Sequence, residues 1–136
     1  MKWTTALLLL LLSACSITDP LAIESFRYPG PQGEGNFIEV TLSRELAPGE
    51  CYEIILSIET RAGQSIYIGG SAFKPLLCGG EGVGRTFRRD IYSFSTAHDP
   101  TGVMDQVRQQ VRPDNVKRML LYLTGHGLHL DKMITF

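Results

Sequence analysis

The stretch Cys51-Tyr52-Glu53-Ile54-Ile55-Leu56-Ser57-Ile58-Glu59 decides the fold class of this chain. Tyr52, Ile54, Leu56 and Ile58 recur every second residue, and Glu53, Ser57 and Glu59 fall largely between them. A period of two is that of a β-strand with one buried face. Thr60-Arg61-Ala62-Gly63-Gln64 then reads as a turn, and residues 65–73 as the returning strand. If Glu59 opposes Ser65, Cys51 comes opposite Phe73, with Cys78 five residues further on. A Cys51–Cys78 bridge then lies within geometric reach, and a loop of that length adds about 3 kcal/mol.

The same reading extends outward in both directions. Residues 22–28 form a first strand with Phe26 and Tyr28 on one side. The breaker-rich run Pro29-Gly30-Pro31-Gln32-Gly33-Glu34-Gly35 is expected as a loop. Residues 36–43 alternate, with Ile38, Val40 and Leu42 on one face, and Pro48-Gly49 suits a type II turn into the Cys51 strand. Beyond Cys78, residues 79–84 are a glycine-rich loop, and residues 85–95 return to β composition with a bulge. One helix is expected, capped by Asp99 with Pro100 in its first turn. Val103, Val107 and Val111 recur along it at spacing four, with Asp105, Arg108 and Gln109 facing away. Residues 116–124 and 128–136 close the chain as a hairpin around Gly125-His126-Gly127, although Lys132 interrupts the alternation of Leu128, Leu130, Ile134 and Phe136. The expected fold is mainly β: a single-domain antiparallel β-sandwich or flattened barrel over residues 22–136, with one short helix.

Composition narrows the function. Thirteen basic residues stand against fourteen acidic ones, for a net charge of −1. Nucleic-acid binding needs a basic surplus to neutralise phosphates, so no nucleic-acid partner is expected. Apolar residues at 43% and charged ones at 20% exclude a disordered chain. The cysteine count of three is odd.

The first cysteine is explained by what precedes it. Lys2 is followed by an apolar run, residues 3–14, that contains six consecutive leucines. As a helix, twelve residues reach about 18 Å, short of the roughly 30 Å hydrocarbon core. The run has the build of a secretory signal peptide. The tetrapeptide Leu12-Ser13-Ala14-Cys15 resembles the lipobox of bacterial lipoproteins. That resemblance implies a signal peptide over residues 1–14, cleavage before Cys15, and a diacylglyceryl thioether on its sulfur. Residues 15–21 become the lipidated Cys and its tether, and the membrane becomes a partner through Cys15. Ser16, where inner-membrane retention would need Asp, implies the outer membrane, with the domain on its periplasmic side. Cys51 and Cys78 are then left to pair in an oxidising compartment; a metal pair or two free thiols are the alternatives.

No motif carries an enzymatic reading, and neither a cofactor nor a metal is expected. Residues 79–84 lead into Gly84-Arg85-Thr86, without the Lys that a phosphate loop requires. His126 and His129, on a turn and strand, fall on opposite faces, so zinc would need a distorted hairpin. Gly69-Gly70-Ser71-Ala72-Phe73 lacks the closing glycine of a nucleophile elbow. Arg85, Arg88 and Arg89 form a local basic patch, either a docking surface or an edge protected against strand pairing. Ile54-Ile55-Leu56 and Met119-Leu120-Leu121-Tyr122-Leu123 are apolar on both faces. Their second face is covered by the helix or left as a groove for a partner.

The lipobox, Ser16, the chain's size and its β character resemble the pilotin lipoproteins of type III secretion systems. The resemblance implies a non-catalytic binding or assembly factor that escorts a secretin, its envelope partner, to the outer membrane. As a disulfide-closed β-domain the chain also resembles small lipoproteins that inhibit lysozyme or proteases through one exposed loop, which here would be residues 79–89. That alternative makes the protein an inhibitor or small-ligand binder. A hydrolase or metal protein using His126 and His129 is the third reading.

Overall fold

The computed structural model describes residues 20–33, 35–69, 76–82, 84–94 and 102–136. Residues 1–14, expected as a signal peptide, and Cys15, Ser16, Asp99 and Pro100 lie outside the described residues. The fold is a sandwich of two antiparallel sheets. One holds β1 (Ile23–Gln32), β2 (Gly35–Leu42) and β6 (Thr86–Asp90) in the order β1-β2-β6. The other holds β4 (Ser65–Ile68), β3 (Cys51–Thr60), β7 (Val116–Gly125) and β8 (Leu128–Thr135) in that order, with β5 (Leu76–Cys78) also pairing with β3. Among the described residues there is one α-helix, α1 (Val103–Gln110).

Alternation builds the core as expected. Ile38, Val40 and Leu42 from β2 are buried against Tyr52, Ile54, Leu56 and Ile58 from β3 and Met119, Leu121 and Leu123 from β7. Truncating such side chains costs about 2–5 kcal/mol each, which makes the inner register the best-determined feature of the fold. Helix α1 does not lie on an outer face. Met104 and Val107, with Val111 just past its end, are buried in the same core, so the helix closes one side of the sandwich.

Several boundaries differ from expectation. The run 29–35 is strand as far as Gln32, with a bulge between Arg27 and Gly30. Two prolines are tolerated there because β1 is an edge strand, whose outer N–H groups need no ladder partner. The returning strand stops at Ile68 rather than Phe73. Pairing with β3 resumes five residues out of step, so that Cys51 faces Cys78 directly; Phe73 lies outside the described residues. Strand β6 ends at Asp90 in a 3-10 turn, Ile91–Phe94, where the Asp90 carboxylate accepts from the Tyr92 amide at 2.9 Å. The helix begins three residues after the expected first turn, behind Gly102 in a left-handed conformation, and Val111 sits at its C-cap in extended conformation. Gly125 belongs to β7, so the last hairpin turns on His126-Gly127, both with positive φ, as a right-twisted two-residue hairpin requires.

A buried polar cluster ties α1 to the smaller sheet. The Tyr28 hydroxyl donates to Asn36 Oδ1 at 2.6 Å and lies 3.1 Å from the Val111 carbonyl, to which Asn36 Nδ2 donates at 2.7 Å. Burial pushes the Tyr28 hydroxyl up to about 12. Asn36→Ala should therefore cost about 2–3 kcal/mol in denaturant melts, because it leaves a buried hydroxyl and carbonyl without their amide. The unfolded phenol ionises near 10. Stability from Tyr28 is thus fully present below that pH and is lost as pH rises through about 12. Tyr28→Phe should remove this part of the alkaline slope.

Candidate functional site

The two outer faces of the sandwich differ in chemistry. On the smaller sheet, Arg27 pairs with Glu39 at 3.7 Å, and the Arg88 guanidinium lies 4.5 Å above the Phe37 ring. That face is charged. The outer face of the larger sheet carries the residues between the core positions, and register sets them in rows. One row runs Tyr67, Ser57, Leu120, Met133 across β4, β3, β7 and β8; the next sets Ile55 beside Tyr122 and Asp131; a third sets Leu76 beside Glu53 and Thr124. Tyr67, Met133 and Leu76 are 60%, 52% and 43% exposed, and Ile55, Leu120 and Tyr122 are half-buried between them. Among the described residues the two-sided apolar strands keep an exposed second face, because α1 closes one side of the sandwich instead of covering it.

Residues Tyr67, Leu76 and Met133 were not singled out in the sequence. Their signal was nevertheless there. Tyr67 interrupts Ile66 and Ile68, and Met133 precedes Ile134, each placing an apolar side chain where a one-sided strand carries a polar one.

The arginines do not assemble into a free patch. Arg85 pairs with Glu24 at 2.9 Å and reaches the carbonyls of Leu42 and Ser43. Arg88 donates to Gln32 from the outer face. Arg89 stands opposite Ile38, on the inward side of edge strand β6, and reaches round to Glu81 and to the Leu76 carbonyl at 3.4 Å. An inward-pointing charge on an edge strand obstructs pairing with another chain.

Cys51 and Cys78 face one another at disulfide distance, with sulfurs 2.16 Å apart. The surrounding corner is tightly tied. Arg44 binds Glu50 with two hydrogen bonds of 2.9 and 3.0 Å; the Tyr52 hydroxyl donates to Glu50 at 2.7 Å and the Ala47 amide at 2.9 Å. Gly79 is required there, since a Cβ would come within 2.0 Å of the Ala47 carbonyl oxygen. The hydrogen bonds, Arg44's first, pull the Glu50 carboxyl down to about 2 from its usual 4.5. Its contribution is full above pH 4.5 and is lost as pH falls through about 2. Glu50→Gln should cost about 1–2 kcal/mol at pH 7 and flatten that acid limb in pH-dependent melts. With every acceptor oxygen occupied, this carboxylate is structural.

The His126 ring packs against Tyr52, centroids 5.3 Å apart, while His129 Nδ1 lies 3.3 Å from Thr124 Oγ1 on the outer face. The two histidines are not brought together. Among the described residues, no three His, Cys, Asp or Glu side chains are grouped to hold a metal, and no helix is long and apolar enough to cross a membrane. No family model, curated protein or solved structure matches the chain.

Proposed function

We propose that this protein is a non-catalytic binding or assembly factor, anchored to the outer membrane by lipid on Cys15 and facing the periplasm. The observation that carries the reading is the apolar outer face of the larger sheet, which displays Tyr67, Leu76 and Met133 around Leu120, Ile55 and Tyr122. An uncovered apolar patch of this kind marks a contact surface. The anchor rests on the lipobox Leu12-Ser13-Ala14-Cys15. A secretin, or an envelope protein handled in the same way, is the partner that the pilotin resemblance implies. The inhibitor reading is less well supported, because Arg85 and Arg89 of its contact segment are already engaged with Glu24 and Glu81.

The test is capture of partners by the full lipidated chain, solubilised in mild detergent, against Tyr67→Glu with Met133→Glu. Both positions are exposed, so stability should move by no more than about 0.5 kcal/mol per site. Copurification of the envelope partner should fall at least roughly tenfold, since two charges would have to be buried against an apolar contact. Undiminished capture by the double variant would sink the assignment of this face.

A further inference from the structure

We infer that the Cys51–Cys78 bridge is a reversible redox switch, worked by an external dithiol, that locks or releases strand β5 while the rest of the sandwich stays folded. It rests on the cysteine corner alone and stands apart from the binding reading above.

The bridge lies where a thiol can reach it. Tyr52 and Leu77 stand opposite one another and are fully buried, so their neighbours Cys51 and Cys78 fall on the outward side of the larger sheet, both half-buried. The Gly79 amide donates to the Glu50 carbonyl at 3.0 Å, which makes those two a hydrogen-bonded pair and the next, Cys51 with Cys78, a non-hydrogen-bonded one. Opposed side chains approach closest at such a pair, and here the Cα atoms are 4.1 Å apart. A bridge on a sheet's outward side is open to a thiolate from solvent, whereas one sealed in a core is not.

What the bridge holds is small. Strand β5 has three residues, and among the described residues it pairs only with β3. Its other ties are the Gly79 amide on Glu50 and Arg89, which reaches the Leu76 carbonyl from β6. So short a ladder barely offsets the entropy of ordering the strand. The cross-link shifts that balance toward the docked strand by on the order of a hundredfold. Reduction removes the factor, and the freedom β5 regains favours the thiols in turn. The opening stays local. Strand β3 keeps β7 along residues 53–60 and β4 along residues 56–59, and β5 gives the core Leu77 alone.

Release also uncovers a strand edge. Lys132 on β8 stands opposite Leu121, and Arg89 on β6 opposite Ile38, so both edge strands carry an inward charge that obstructs further pairing. Pro29 and Pro31 blunt β1. Along residues 51–53, the guard of β3 is β5 itself.

The chemistry is thiol–disulfide exchange. A thiolate of the dithiol attacks one bridge sulfur; the Cys51–Cys78 bond breaks, a mixed disulfide forms, and the displaced thiolate takes up a proton. The second thiol then gives up its proton and attacks the mixed disulfide, and the other cysteine leaves as a thiolate and is protonated. The bridge gains two electrons and two protons, and the dithiol loses them in closing its own disulfide.

The test uses the full lipidated chain in mild detergent, with dithiothreitol as the dithiol probe and glutathione buffers of graded ratio. Alkylation followed by mass spectrometry counts thiols, and amide hydrogen exchange reports opening. Without denaturant, dithiothreitol should reduce the bridge at least about tenfold faster than the domain unfolds, and a reduced-rich glutathione buffer should give both forms. In the reduced form, Leu77 and Gly79 amides should exchange within about tenfold of the free-chain rate, while Val40 and Leu121 stay at least about a hundredfold slower. Reoxidation should restore protection at Leu77 and Gly79. Cys51→Ser with Cys78→Ser should show the reduced pattern and ignore dithiothreitol; if that variant fails to fold, the wild-type titration decides. Reduction only in step with urea unfolding, or resistance at every glutathione ratio, would make the bridge a structural cross-link and overturn the switch. Unchanged protection at Leu77 and Gly79 after reduction would overturn the release. Equal loss of protection at Val40 and Leu121 would overturn the folded reduced state, and the switch with it.

Discussion

Replacing Cys51 and Cys78 together with serine is expected to lower stability by about 3–4 kcal/mol, read from urea melts of the oxidised and variant proteins. The two cysteines are 27 residues apart in sequence. Closing a loop of that length removes about 3–4 kcal/mol of conformational entropy from the unfolded chain. For a domain of this size the thermal midpoint should fall by about 10–15 °C. The loss is also local. Strand β5 is three residues long, yet it delivers the fully buried Leu77 to the core. Besides the cross-link, what holds its corner is the register with β3, the Gly79 amide on the Glu50 carbonyl at 3.0 Å, and Arg89 on the Leu76 carbonyl. Proteolysis near residues 76–82 should therefore accelerate before the rest of the sandwich opens. Unchanged melting after the double substitution, or two freely alkylated thiols in the wild type, would refute the bridge as a stabilising element.

The second large effect concerns location. Cys15→Ala, exported with an ordinary secretory signal in place of residues 1–14, is expected to move the protein from the membrane to the soluble fraction. One acyl chain alone gives a membrane partition constant of roughly 10⁴ M⁻¹, and two or three give stable attachment. The shift should therefore be close to complete, with loss of palmitate labelling. The fold should be untouched, because the core contacts among the described residues lie downstream of Cys15. Leu21 is buried, and Ala22 and Ser43 exchange two hydrogen bonds of 2.8 Å. The five residues between Cys15 and Leu21 span at most about 20 Å, which would hold the domain close to the bilayer. Retention of the variant in the membrane would refute lipid anchoring.

Much of the sandwich was legible in the residues themselves. The alternations around Ile38, Ile54 and Leu121 set which side chains go inward, and Gly63, His126 and Gly127 marked two of the turns. Both depend on local backbone chemistry: a strand's period of two and the positive φ of tight turns. The candidate site was half legible. The doubled apolar character of Ile54-Ile55-Leu56 and residues 119–123 announced a second face in need of a cover. It could not say whether α1 supplied one, because a helix's amphipathic pattern shows that it has an apolar side and not what that side meets. The arginines were misleading for a related reason. Arg85, Arg88 and Arg89 are neighbours in sequence, but their partners Glu24, Gln32 and Glu81 arrive from other strands and loops.

By itself, the sequence determined the β class, the inward faces and the closing hairpin, and it brought Cys51 and Cys78 within reach of one another. Each of these is carried by periodicity, by turn residues or by counting, and so survives without knowledge of distant neighbours. Only the tertiary structure decided that β3 lies between β4 and β7, that pairing with β3 resumes at Leu76 five residues out of step, and that α1 closes one side of the sandwich. These choices depend on which remote segments close loops around a shared core volume. The same choices leave Tyr67, Leu76 and Met133 in solvent on one face, with Arg89 and Lys132 turned inward to blunt the edges.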